Sequence, residues 1–382
     1  MAATQLLLSV LVLAMVVLLL SPTFGDVAQQ PPLKFRPDGT FRIVQFTDLH
    51  YGEAAEFDVN SARVQTTILK MERPDLVVMT GDSVSGYAWN GKVRPWFPLR
   101  WDQLTAPMKS LGIRWAFAVG NHDDQGDFNR TEIVRYDRES SQGLSLTQFG
   151  PADVDGVTNY YLPVQSSASQ AVAANLWMFD SNDVKCLDTP GWGCVYPSQI
   201  EWYRSTARRL QTEQVRQSEK VPGLAFFHIP VPEFMHVWNY HNTSGRLQDT
   251  GVCCFSVNTG LYAAWRELDE MVSCHVGHDH NNDFWGVYGG VRLMYGRKSG
   301  YGGYGPPPGW LRGARVIEIH ENPFKMVTWI RQEDGTVVPE SSQPLHSPGT
   351  NQTFACCDSL GSTRPSQCHA YETAFRMRHL SL

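Results

Sequence analysis

An excess of positive charge is missing from this chain. Its 382 residues carry 32 Lys and Arg against 38 Asp and Glu, a net charge of −6. That balance lacks the basic footprint of nucleic-acid-binding proteins, so no nucleic-acid partner is expected. Charged residues of both signs are scarce, at 18%. No low-complexity linker interrupts the middle of the chain, which argues against two tethered domains and for one large α/β domain. No internal repeat is visible, so repeat architectures are set aside.

Apolar runs long enough to span a membrane are missing too. The longest, Leu6 to Leu20, falls short of the ~20 residues a span requires and matches a signal h-region instead. Thr23-Phe24-Gly25 places small residues three and one before a cut, giving a signal peptide over 1–25 and a mature start near Asp26. No Lys or Arg precedes the run; an uncleaved anchor or a buried helix is the alternative. The expectation is a protein that is secreted or held in the secretory-pathway or vacuolar lumen, with no membrane span in its mature chain.

None of the eight cysteines has zinc-knuckle spacing. An even count in a secreted chain suggests disulfides. Cys186 and Cys194 flank a Pro/Gly loop and are expected to bridge. Adjacent Cys253 and Cys254 are expected to have separate partners, and Cys274, in an apolar run, to be a buried thiol. Cys356, Cys357 and Cys368 would hold a polar tail over 333–382. Sequons at Asn129, Asn242 and Asn351 are candidate glycosylation sites.

What the chain does have is five polar blocks, each ending an apolar, strand-like run. They are Asp48-Leu49-His50, Gly81-Asp82, Gly120-Asn121-His122-Asp123, His228 and Gly277-His278-Asp279-His280. Ligands at the carboxyl ends of neighbouring strands converge in one crevice of an open α/β sheet. Singly, each block is a common turn or cap. Together they offer two Asp, four His and one Asn, donors suited to Zn, Fe or Mn.

The organisation fits. Strand-like runs at Phe41–Thr47, Asp75–Thr80 and Trp115–Val119 alternate with helical spacing at Val59–Met71 and Trp101–Leu111, the signature of βαβ units. A helix is expected near Glu132–Glu139 and a long one over Ser198–Glu219. Gly260–Met271 reads as a helix feeding the strand Val272–Val276. Four β-rich runs follow, at Phe284–Tyr288, Val291–Tyr295, Arg315–Ile319 and Met326–Ile330, suggesting a second sheet.

A carboxylate shared by two metals holds them roughly 3.5–4 Å apart, and Asp82 is the candidate bridge. Asp48 and His50, and likewise His278 and His280, are expected to alternate on a strand end so that each pair shares one face. Asn121 and His228 suit a second metal. His122 is a candidate to bind a phosphoryl oxygen or protonate a leaving group, with Asp123 orienting its imidazole.

In this order, D-x-H, G-D, G-N-H-D, H and G-H-x-H resemble the calcineurin-like metallophosphoesterase superfamily. The likeness runs from about Phe35 to Ile330, and the domain is taken as 35–332. Segments such as Phe35-Arg36-Pro37-Asp38-Gly39, Phe227-His228-Ile229-Pro230 and Gly277 to Asp283 are similar to the purple-acid-phosphatase-like branch of plant and fungal secreted proteins. The resemblance implies a four-layer α/β sandwich with two mixed sheets flanked by helices. It assigns metal one to Asp48, His50, Asp82 and His280, and metal two to Asp82, Asn121, His228 and His278. It makes His122 the active-site imidazole. Coloured purple acid phosphatases carry an iron-binding Tyr three residues after the bridging Asp; here Ser85 stands there, and His50 is expected to fill the coordination slot.

The implied activity is phosphate monoester hydrolysis by metal-bound hydroxide, with Asn121 and His122 meeting the phosphoryl group of a small phosphoester. A phosphodiesterase on the same scaffold and a non-catalytic metal-binding module are the rivals. Candidate pocket walls are 87–101, 234–241 and the Gly-rich 295–305. In the last, Arg297, Lys298, Tyr301 and Tyr304 either contact phosphate or belong to an ordinary glycine-rich loop.

Overall fold

The computed structural model describes residues 31–214 and 220–349. Two sheets face each other. The six-stranded sheet is built on β1 (Thr40–Phe46), β2 (Leu76–Thr80) and β3 (Trp115–Ala118), parallel to one another. The nine-stranded sheet contains β4 (Tyr160–Gln165), β5 (Val172–Met178), β6 (Gly223–Phe226), β7 (Met271–Val276), β8 (Trp285–Tyr288) and β9 (Val291–Tyr295). Within it β5, β6, β7 and β9 run parallel, in that order.

Three helices cover the six-stranded sheet: α1 (Ala55–Glu72), α2 (Trp96–Leu111) and α3 (Arg130–Ser140). Three cover the nine-stranded one: α4 (Pro197–Glu213), α5 (Glu233–Tyr240) and α6 (Leu261–Leu268). Between the sheets lies a third apolar layer, in which Phe41, Ile43, Leu76 and Val78 meet Leu162, Leu176, Leu224 and Phe226. Helix, sheet, sheet, helix is the four-layer sandwich expected. The central strands are apolar on both faces because both are covered.

Local chemistry sets the helix ends. α1 stops at Glu72 because Arg73 turns left-handed (φ 45) and Pro74 follows. α2 closes on Gly112 at φ 64. α3 opens on a capping box between Asn129 and Glu132, a device in which the cap residue alone contributes about 1 kcal/mol.

One expectation is corrected here. The four late β-runs do not make a sheet of their own. β8 and β9 extend the sheet of β7, whereas β10 (Gly313–Glu321) and β11 (Phe324–Gln332) join β1 across the other sheet, with Val316 opposite Val44. Such non-local pairing leaves no trace in the spacing of the runs. Strand pairing also continues past residue 332: Val337–Pro339 pairs with β11, and Leu345–His346 with Thr243–Ser244.

Cys186 and Cys194 are bridged. Cys253 and Cys254 are both disulfide-bonded, and Cys274 is a buried free thiol. The signal segment 1–25, Asn351, Cys356, Cys357 and Cys368 lie outside the described residues. Among the described residues no helix is long and apolar enough to cross a membrane.

Candidate metal centre

The carboxyl ends of β1, β2, β3, β6 and β7 carry the five blocks into one place. Donor atoms of Asp48, His50, Asp82 and His280 lie within 4.8 Å of one another, and so do those of Asp82, His228 and His278. All six residues are buried. Asp82 belongs to both sets. Its Oδ2 is 3.6 Å from His50 Nε2 on one side and 3.1 Å from His228 Nε2 on the other. His280 Nε2 completes the first set, 3.4 Å from Asp48 Oδ1 and 3.1 Å from His50 Nε2.

Asp48/His50 and His278/His280 do not alternate along a strand, contrary to the expectation. Asp48, His50, Asp82 and His278 all have left-handed backbone, with φ of 52, 52, 49 and 77. Non-glycine residues adopt this region at a cost, and such residues gather at functional sites. The turned backbone sends His278 to one set and His280 to the other. The glycines make the turns fit. A Cβ on Gly81, itself at φ 83, would come within 2.6 Å of His228 Nδ1 and 2.7 Å of Gly120 Cα.

Hydrogen bonds aim the imidazoles. His228 Nδ1 donates to Thr80 O at 2.7 Å and His280 Nδ1 to Tyr304 O at 2.8 Å, leaving each Nε2 facing inward. Tyr304 also stacks on His280, with centroids 4.0 Å apart. Burial drives the His278 imidazole down to about 3 and, with Lys298, pushes His50 well below its ordinary value. Burial thus favours the neutral, ligating form of both, whereas at His228 burial is outweighed by Asp82 and the imidazole is raised to about 9. Burial works against ionisation of Asp82, but His228 and His122 outweigh it and hold the carboxyl well below its usual range.

The donor set fits a pair of metals. Asn121 Oδ1 and His278 Nε2 are buried without a hydrogen-bond partner. An orphaned buried polar atom costs about 1–3 kcal/mol. These orphans belong to residues of one convergent site, where ligation would satisfy them. Asn121 itself is fully buried, between Gly120, whose N–H donates to Asp123 Oδ2, and His122, whose N–H donates to Asp82 Oδ1.

His122 lies at the edge of the cluster, its Nε2 4.0 Å from Asp82 Oδ2. Asp123 does not orient it. The Asp123 carboxylate accepts from the backbone N–H groups of Asp82, Val84 and Gly120. Burial, then Asp82, pushes its carboxyl up to about 7. The imidazole bonds instead to Gln125, with Nδ1 2.9 Å from Oε1. Asp123 turns inward because three amides converge on it, a consequence of packing two strand ends together.

The Gly-rich loop serves the ligands and does not present cations to a phosphate. Arg297 pairs with Asp283 at 2.5 Å. Lys298, 1% exposed, donates to Asp48 O and Gly302 O, and Tyr301 donates to Glu333. A sixth strand-end block, Asp180-Ser181, follows Phe179. Asp180 holds Arg130, whose other arm donates to Gly120 O, and Ser181 Oγ accepts from Ile229 N. Glu53 and Gln125, each three residues past a site histidine, are further contributors with no signal beyond that spacing.

The family model for calcineurin-like phosphoesterase matches residues 41–281, a span that contains every ligand candidate. Probable inactive purple acid phosphatase 28 of Arabidopsis thaliana is 33% identical over 75% of this chain and 77% of its own length. Probable inactive purple acid phosphatase 29 of the same plant is 30% identical over 89% and 94%. A dimetal phosphatase from Danio rerio, at 16% identity and a TM-score of 0.54, covers 78% of this chain and 99% of its own and shares the fold. On its matched span and its plant relatives, this chain belongs to the calcineurin-like phosphoesterase family, in the purple-acid-phosphatase-like branch.

Proposed function

We propose that the protein is a dinuclear phosphatase that hydrolyses phosphate monoesters in a secretory compartment or outside the cell. The observation that carries this reading is the pair of buried donor sets sharing Asp82, with His122 beside them. Asp48, His50, Asp82 and His280 would hold one metal, and Asp82, Asn121, His228 and His278 the other. Bound there, Fe, Zn or Mn supplies Lewis-acid stabilisation of phosphoryl charge and activation of water.

The chain's own residues do the rest. Gln125 accepts from His122 Nδ1, so Nε2 is the atom directed at the centre. Protonated on both nitrogens, the imidazolium can donate from Nε2 to a phosphoryl oxygen or pass that proton to the departing alkoxide. Tyr87 meets His122 edge-on at 4.9 Å and restricts how the ring can rotate. The Cys186–Cys194 bridge supports an oxidising compartment.

The two plant relatives are named probable inactive, which favours a non-catalytic module as the second reading. The complete ligand sets and the oriented His122 support turnover. The test is a comparison of metal-loaded protein on an aryl phosphate monoester and on the corresponding bis-diester. Monoester turnover well above diester turnover is expected. The reverse order would make the protein a phosphodiesterase, and no turnover of either by protein holding two metals would favour the non-catalytic reading.

A further inference from the structure

Ser85 occupies the position of the missing Tyr, and its hydroxyl is committed elsewhere. A carboxylate only accepts hydrogen bonds. Glu53 Oε1 takes them from Ser85 Oγ at 2.7 Å, Tyr87 OH at 2.5 Å and Gly303 N at 2.8 Å. With its one proton given to Glu53, Ser85 Oγ can only accept from His50 Nδ1, which lies 2.8 Å away. The imidazole proton therefore sits on Nδ1, and the lone pair on Nε2 faces Asp82 and His280. The whole chain is buried: the His50 and Glu53 side chains are 1% and 6% exposed, and Ser85 not at all. Glu53 Oε2 is buried with no partner of its own. The carboxylate thus gives up water on one oxygen while the other is fully used.

We propose that Glu53, acting through Ser85, is the positioning residue for His50 and sets how tightly the first metal is held. This rests on the dinuclear reading above. The effect is selective, because His228 and His280 are aimed by the backbone carbonyls of Thr80 and Tyr304, whereas His50 is aimed by side chains. Outer partners of this kind typically change metal affinity 10–100-fold.

The experiment is a calorimetric titration of the metal-stripped full chain with Zn2+, alongside its melting temperature. Wild type is expected to show two sites. Ser85→Ala should weaken one of them about 10–100-fold and leave the other within about twofold. Ser85→Thr, which keeps the hydroxyl, should restore it. Glu53→Gln, which keeps an acceptor but not the charge, should weaken the same site to a smaller degree. Two wild-type sites in Ser85→Ala would overturn the proposal. So would equal losses at both sites with a lowered melting temperature, since that is the mark of a merely structural role. A wild-type protein that binds fewer than two zinc ions would instead sink the dinuclear reading, before any variant is compared.

Discussion

Glu270 offers a stability test that does not depend on the metals. It is 3% exposed and immediately precedes β7, the strand that delivers His278 and His280, at the end away from them. Tyr203 OH donates to its Oε1 at 3.2 Å. Burial pushes the carboxyl up from the ordinary 4.5 to about 7. The folded chain then keeps a proton that the unfolded chain sheds between those values. The associated stability is fully present below about pH 4.5 and is lost as pH rises through about 7. At 1.36 kcal/mol per pKa unit the whole effect is at most about 3 kcal/mol. Glu270→Gln keeps an acceptor for Tyr203 and cannot ionise. Urea unfolding of both proteins at pH 5 and pH 8 measures the difference. The wild type should lose up to about 2.5 kcal/mol more than the variant between the two. Parallel losses would refute the reasoning, because ionisation of Glu270 would then cost nothing on folding.

Other expectations follow from the site. Gly81→Ala should disturb His228 and Gly120 together, cost about 1–3 kcal/mol as overpacking and lower metal content, measured by unfolding and metal analysis. His122→Ala should reduce kcat about 10²–10⁴-fold while bound metal stays at the wild-type level; unchanged turnover would remove His122 from the chemistry. Native, metal-loaded protein should show no intense visible tyrosinate band, because Ser85 Oγ lies between His50 and Glu53; such a band would sink the assignment of His50. Removing the Cys186–Cys194 bridge as a double Ser variant should cost about 2.5 kcal/mol, from its separation of 8 residues in the chain-entropy model, read as a shift in the urea midpoint.

Much of the site was legible because each metal donor follows an apolar run, and strands that end together bring their ends together. The alternation of β1, α1, β2, α2 and β3 was readable for the same reason: local periodicity records which face each element buries. What failed was everything set by through-space meeting. An i, i+2 pair was read as strand alternation, but left-handed φ at Asp48, His50 and His278 redirects each side chain. Asp123 looked like the partner of His122 by adjacency, yet three backbone amides claim it and Gln125 takes the imidazole. β10 and β11 looked like part of a separate sheet, yet β10 lies against β1, far away in sequence, and β11 pairs with β10.

The sequence alone determined the donor chemistry of the site, through residue types whose ligating atoms do not depend on how they meet. It also carried the departure from the coloured enzymes, since Ser85 and His50 are matters of identity. The family resemblance already divided His278 and His280 between two metals sharing Asp82; only the tertiary structure showed that left-handed turns, not strand alternation, bring this about. Only it decided that Ser85 serves His50 from outside the donor set. Those facts depend on distances of about 3 Å between strand ends, and such distances arise when two sheets and their turns pack, not from any stretch of chain taken by itself.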